Sequence, residues 1–435
     1  MKLLQAGNLR IELLIGLTLR GLGAVSSFAL AWLIARHFGA ETYGLFQLAM
    51  ATALIAYVIA SMGLDRVIIR TVSVALDEGR RGDAATAYRV ARNRQVIVGL
   101  VMAILMVATA EPLAKSVLND PAAANHLIIF APTALITALT FLCAGVLRSA
   151  GRIILSQSLD GVSYTTLAAL IVLVAWLGYG GSLGENPLAP AIAFVGSTAL
   201  VLLVGLYHCE RLVNSWGSGE ADVPVLSGLF IASVNLMGRI ANWVGLVLLI
   251  AAAGAAEGGI FRVAFQVCLL FVIVNSSFAV MVGPRIAAAS ARADRVAVTK
   301  AIRTASLMGI AVCLPLYLAL MIFPESILAL FGPEFTRGAD AMRILATGQL
   351  INVAFGPIGG SLAMMHKERA NLIITMIAAA ISIAVIVLTV ETYGMAGVAA
   401  GVAVNALLFN GLAWIVMKRH LDQLGGTRIT DAPQA

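Results

Sequence analysis

Long apolar runs separated by short polar breaks fill the chain from end to end. A helix needs about 20 apolar residues to cross roughly 30 Å of hydrocarbon. Runs of that length fall at 13–35, 45–64, 96–117, 127–147, 159–180 and 188–207, and then at 225–253, 260–282, 305–323, 341–363, 371–390 and 394–417. The pattern predicts twelve membrane-spanning helices, six on each side of the polar stretch HCERLVNSWGSGEADVP at 208–224. The expected fold class is an all-α polytopic membrane protein of two six-helix bundles, 1–215 and 216–435.

The second half repeats the first at an offset of 215 residues. GAETYGLFQLA (39–49) and GAAEGGIFRVA (254–264) share five of eleven positions, including Gly39/Gly254, Gly44/Gly259 and Phe46/Phe261. The same offset pairs Arg70 with Arg285, Gly145 with Gly360, Leu147 with Leu362 and Arg152 with Lys367. Each match is weak in so Gly- and Ala-rich a chain; their agreement along both halves is what signifies. Six is an even number, so both halves enter the membrane from the same side, as parallel repeats around a central cleft. In transporters built from repeats, the substrate sits near the midplane between them and the repeats rock against each other. On this reading 208–224 is a flexible connector.

Composition agrees with the pattern. Of the residues, 60% are hydrophobic and 12% charged, where a soluble domain carries about 25% charged. A soluble enzyme, a disordered regulator and a nucleic-acid-binding module are thereby excluded. Counting Lys and Arg with the N-terminus inside places 22 in cytoplasmic segments, 5 in outside loops and 2 within spans. Basic residues favour the cytoplasmic side, so both termini are expected in the cytoplasm. The formal net charge of +7 is explained by basic loops facing anionic lipid and calls for no nucleic-acid partner. Four widely separated cysteines describe neither a disulfide framework nor a metal site.

An ionisable side chain inside the hydrocarbon is costly and marks a functional position by default. Arg20, in the first span, shares its helical face with Gly16, Gly23 and Ser27. Arg239, in the seventh, has Asn235 four residues before it and Asn242 three after, a polar stripe on an apolar helix. The repeat makes these two spans equivalent, so both arginines are expected at one cleft. The alternative for each is a structural cation that neutralises a carboxylate or snorkels to the surface. Tyr57, Ser61 and Asp65 follow at intervals of four; Asp65 is a coupling-ion candidate or a plain interfacial partner of Arg66. Gln266 and Asn275-Ser276-Ser277 of the eighth span are placed on the cleft, and Arg36 and Arg262 flank its outer mouth on equivalent connections. FGPIGG (355–360) breaks the tenth span. The five histidines lie at loops or span ends, with no HExxH, Walker A or GxSxG. No catalytic residue, metal or cofactor is expected.

ARHFGAETYGLFQLA at 35–49, with Arg36, Gly39 and Tyr43-Gly44, resembles the end of the first span in polysaccharide repeat-unit (Wzx-like) flippases. MGLDRVIIR (62–70) and FLCAGVLRSAGRIILSQS (141–158) resemble their second- and fourth-span exits. These flippases form a branch of the multidrug/oligosaccharidyl-lipid/polysaccharide (MOP) exporter superfamily. The resemblance implies a flippase in the bacterial inner membrane that moves an undecaprenyl-diphosphate-linked oligosaccharide to the outer leaflet. Its partners would be that lipid-linked substrate, membrane lipids and polysaccharide polymerase or chain-length machinery. Cationic spans suit two phosphates, because Arg binds them with a fork of donors. A cation-coupled exporter of small amphiphiles (the MATE type) is the rival reading. It is disfavoured because multidrug exporters of the superfamily commonly place an acid where Arg20 and Arg239 stand. A glycan polymerase or transferase would be expected to carry a large outside loop, and the longest here is 324–340.

Overall fold

A computed structural model describes the chain over residues 5–178, 186–292, 294–359, 362 and 368–426, with side chains for most of them. Among these residues every regular element is helical, since only a helix or a closed barrel pairs its own backbone groups in hydrocarbon. The first half holds α1 (Gln5–Ser61), α2 (Leu64–Asp77), α3 (Arg81–Pro112), α4 (Ala122–Phe130), α5 (Thr133–Ser149), α6 (Ile153–Gln157), α7 (Ser163–Gly178) and α8 (Ala189–Asn214). The second holds α9 (Val225–Ala253), α10 (Ala255–Ala291), α11 (Arg295–Ile322), α12 (Pro324–Ala329), α13 (Ala339–Phe355), α14 (Glu368–Tyr393) and α15 (Met395–Gly426).

Among the described residues nine helices are long and apolar enough to cross a membrane. The pair Ile153–Asp160 and Ser163–Leu177, bent by 53°, makes a tenth. The difference from twelve has two local causes. α1 has 57 residues, about 86 Å if straight, far more than one bilayer. It is two spans joined at Gly39, whose φ of 81° and ψ of 174° suit glycine alone. α13 has 17 residues because the chain turns at Gly356-Pro357. Over the described residues, each of the twelve apolar runs falls mainly on one of these helices or on a broken pair of them.

The chain forms two compact units: Met1–Arg239 with Gly254–Gly259, and Ile240–Ala253 with Ile260–Ala435. The division falls inside α9 rather than at 208–224. In the first unit, Leu64, Val67, Ile68 and Val72 of the amphipathic α2 pack on Ala84, Ala87 and Tyr88 of α3 and on Leu142, Val146 and Leu147 of α5. Phe46 of α1 meets Phe130 and Phe194 edge to face at 5.2 and 5.6 Å. The segment expected to be a loose connector is tied to the start of α3. Thr86 Oγ1 donates to the Gly219 carbonyl (2.8 Å), Arg89 Nη1 to that of Gly217 (3.0 Å), and Glu220 N to Asp83 Oδ1 (3.0 Å). In the second unit, Val282 and Ile286 of α10, Val298 and Ile302 of α11, Ile374 of α14 and Ala413 and Met417 of α15 share a core with Ile358 and Leu362. Exposed Ile97, Val101, Ile104 and Leu105 make one side of α3 a face suited to lipid.

The repeat read from the sequence has structural counterparts. Gly39 and Gly254 both have positive φ (81° and 92°), and Phe46 and Phe261 are both buried. Gly44 and Gly259 meet each other reciprocally. A Cβ on Gly44 would land on the Ala255 carbonyl oxygen, and one on Gly259 on that of Ala40. Gly360 and Lys367, paired with Gly145 and Arg152 above, lie outside the described residues.

Candidate functional site

In the first unit a polar group gathers around the start of α9. Ala232 and Leu236 pack with Tyr57, Val58, Ala60 and Ala138, which fixes this end of the helix against α1 and α5. Three residues beyond Leu236, the exposed Arg239 lies close enough to Tyr57 and Tyr164 for its charge to act on both. The Tyr57 ring packs 5.3 Å from Phe141, and its hydroxyl donates to Asp65 Oδ2 at 3.3 Å. Burial raises the pKa of the Asp65 carboxyl, against the opposing pull of Arg66 and of the Tyr57 hydroxyl. An exposed guanidinium thus acts on two phenols, one of which donates in turn to a carboxyl whose ionised form burial disfavours. Such a group suits an anionic guest, because Arg presents five donors and stays charged.

The other sequence-derived residues are distributed as follows. Asn235 is half-buried and spends an amide hydrogen on the Ile231 carbonyl of its own helix (3.0 Å). Asn242 is exposed on the same face of α9. Arg20 lies on α1, and its side chain falls outside the described residues. Arg36 is exposed three residues before the kink; its neighbour His37 packs between Trp32 and Trp176, at 5.9 and 4.3 Å. Arg262 and Gln266 belong to the second unit, both half-buried and one turn apart on α10. The Arg262 guanidinium lies over the Phe265 ring at 5.1 Å, a cation–π contact.

Two features escaped the sequence reading. Glu210 of α8 accepts hydrogen bonds from Arg92 (2.5 Å) and Tyr88 (2.9 Å) of α3 and so ties the two helices together. In the second unit, the α13 break opens a cavity of about 210 Å³ whose walls include Asn275, Ser276, Asn352, Pro357, Phe409 and Asn410. The Asn275-Ser276 pair and the FGPIGG break were visible in sequence. Asn352 and Asn410 were not, since a lone Asn in an apolar run carries no signal and they are 58 residues apart.

Residues 11–216 match the family model for polysaccharide biosynthesis proteins. The structure resembles an inward-facing MATE family multidrug transporter of the MOP superfamily (15% identity, TM-score 0.79, 96% of this chain and 99% of that one). It also resembles the lipid II flippase MurJ in an inward closed conformation (14% identity, TM-score 0.73, 97% and 94% covered). A third match is a MOP superfamily transporter from Pyrococcus furiosus, described as having a binding pocket of reverse polarity (17% identity, TM-score 0.65, 95% of both chains). The fold is that of the MOP transporters. No curated protein matches the sequence. At these identities the structural likeness establishes the architecture, a multi-pass helical bundle, and the family-model match over 11–216 takes in 35–49, 62–70 and 141–158, the segments that carried the resemblance.

Proposed function

We propose that this protein is a flippase that carries an oligosaccharide linked to undecaprenyl diphosphate from the inner to the outer leaflet of a bacterial inner membrane. Both termini are cytoplasmic, and the two halves alternate access by rocking about a central cleft. The match of residues 11–216 to the polysaccharide biosynthesis family is the observation that carries the reading. The fold shared with a lipid II flippase and the exposed Arg239 beside Tyr57 and Tyr164 support it.

On this reading Arg239 and Arg20 hold the diphosphate, and the prenyl tail stays in lipid. Asn235, Asn242 and Gln266 offer neutral polar contacts to sugars, while Arg36 and Arg262 draw the anionic head group toward its path. The polymerase and chain-length machinery receive the product. Each charged Arg–phosphate hydrogen bond contributes about 1.5–3 kcal/mol. Complementation of a flippase-deficient strain, with protein levels checked by immunoblot, tests this. Arg239→Ala lowers export about ten- to a hundred-fold, and Arg239→Lys keeps part of it because the charge survives without the fork. Full export by the Arg20→Ala, Arg239→Ala double variant would show both arginines to be structural.

One observation favours a second reading, cation-coupled export of small amphiphiles: the Tyr57–Asp65 pair, a half-buried carboxyl holding a phenol. Here Asp65 is the coupling-ion site. The two readings part on drug susceptibility, which expression in an exporter-deficient strain alters only under the second.

A further inference from the structure

The α13 break that opens this cavity has no counterpart at the matching position of the first half. At the offset of 215 that relates the halves, Pro357 corresponds to Leu142, which lies within the unbroken α5. In the first half the equivalent span breaks earlier, at Pro132 between α4 and α5. The break in the second half thus falls at a different place, and polar side chains from three helices converge where it opens. α10 brings Asn275 and Ser276, α13 brings Asn352, and α15 brings Asn410. Gly356 turns the chain with a φ of 73°, and the Ile358 N–H closes the turn on the Gly356 carbonyl at 2.8 Å.

The chemistry of this cavity is neutral and directional. No ionisable side chain is among its described lining residues, so neither a phosphate nor a metal ion finds a countercharge. Asn410, only 2% exposed, commits its amide hydrogens to Asn352 Oδ1 (2.9 Å) and to the Ala406 carbonyl (2.7 Å). The bond between the amides leaves complementary groups over: Nδ2 of Asn352 as donor and Oδ1 of Asn410 as acceptor. Phe409 and Pro357 supply apolar walls, with Phe409 seated on Gly359, where a Cβ would lie 3.0 Å from its ring. A volume of about 210 Å³ is far more than a bare ion fills and below the roughly 300–1,000 Å³ of sites for drug-sized ligands. Several hydroxyl-matching groups with an apolar face and no charge, in a space of this size, fit a single sugar ring.

We infer that this cavity seats one neutral sugar of the transported glycan, at a site distinct from the arginines that hold the diphosphate. The inference rests on the lipid-linked oligosaccharide reading and names a subsite within it. Binding to the detergent-purified full chain tests it with two probes: lipid-linked oligosaccharide extracted from membranes of the cell that makes this protein, and sugar-free undecaprenyl diphosphate. Wild-type protein binds the sugar-bearing lipid about ten-fold more tightly, the worth of one or two neutral hydrogen bonds. Asn352→Leu removes the donor and abolishes that difference without changing affinity for the sugar-free lipid. Ser276→Phe, at an exposed position, fills the cavity without touching the amide pair and does the same. Retention of the difference by both variants, or equal binding of the two lipids by wild type, overturns the subsite and leaves the cargo assignment standing. Binding of neither lipid overturns the cargo assignment and the subsite together.

Discussion

At the scale of single residues, Arg239 and Asp65 stand in one polar group with opposite tasks. Arg239 is exposed and presents a guanidinium, so it acts by attraction. Asp65 is partly buried, and its carboxyl pKa lies above the ordinary 3.8 because burial disfavours the ionised form. A raised folded-state pKa means the folded protein holds this proton more tightly than the unfolded chain does. Its stabilising contribution is complete below 3.8 and is lost as pH climbs through the raised value. Asp65→Asn keeps the size and removes the titration. Thermal unfolding of the purified variant should show a flatter acid limb than wild type and an equal or higher midpoint near neutral pH. If Asp65 also couples an ion to transport, the same variant loses the pH dependence of export; if it is a plain interfacial partner, export keeps its profile.

At the scale of elements, three breaks organise the helices: the kink at Gly39, the turn at Gly254 and the α13 break at Gly356. Beside the first two, Gly44 and Gly259 let backbones touch, and an added methyl would overlap a carbonyl oxygen. Overpacking of this kind costs about 1–3 kcal/mol. Gly44→Ala and Gly259→Ala should each lower the unfolding midpoint of the purified protein. Gly196 of α8 is the control, with nothing within 4 Å of an added Cβ. There Gly→Ala should stabilise by up to about 1 kcal/mol, since helix propensity alone is at stake. Equal losses at Gly196 and Gly44 would show that close approach is not what selects the glycine.

At the scale of the whole molecule, each unit gathers ends that the charge pattern assigns to one side of the membrane. In the first, residues 217–220 dock on the start of α3. In the second, Arg295 pairs with Asp422 at 2.7 Å, joining the start of α11 to the end of α15. The basic residues clustered there predict the cytoplasm. All four native cysteines are buried, so background thiol labelling should be low. Cysteines introduced for Arg80 and Arg295 should react with a membrane-impermeant reagent only after the inner face is opened. Those introduced for Glu185 and Glu334 should react in intact spheroplasts. The reverse result would invert the orientation and, with it, the direction of transport.

The length of the apolar runs by itself determined the class of molecule and the helices, because a chain in hydrocarbon must pair its backbone internally and has few ways to do so. The repeat was likewise legible, since the glycines at 39, 44, 254 and 259 are where the chain must bend or let another backbone through. Two of the candidate residues, Arg239 and Asp65, stood out because charge in an apolar run is conspicuous. What only the tertiary structure decided was which polar side chains share a space. Tyr57 reaches Asp65, Arg239 comes near Tyr164 across 75 residues of sequence, and Asn352 and Asn410 close a cavity that neither announces. Nor did 208–224 reveal that it would dock on α3, for a polar segment reads the same whether it is loose or hydrogen-bonded. Spacing along one helix fixes a face, but the partner of that face lies on another helix, and packing between helices leaves no period in either sequence.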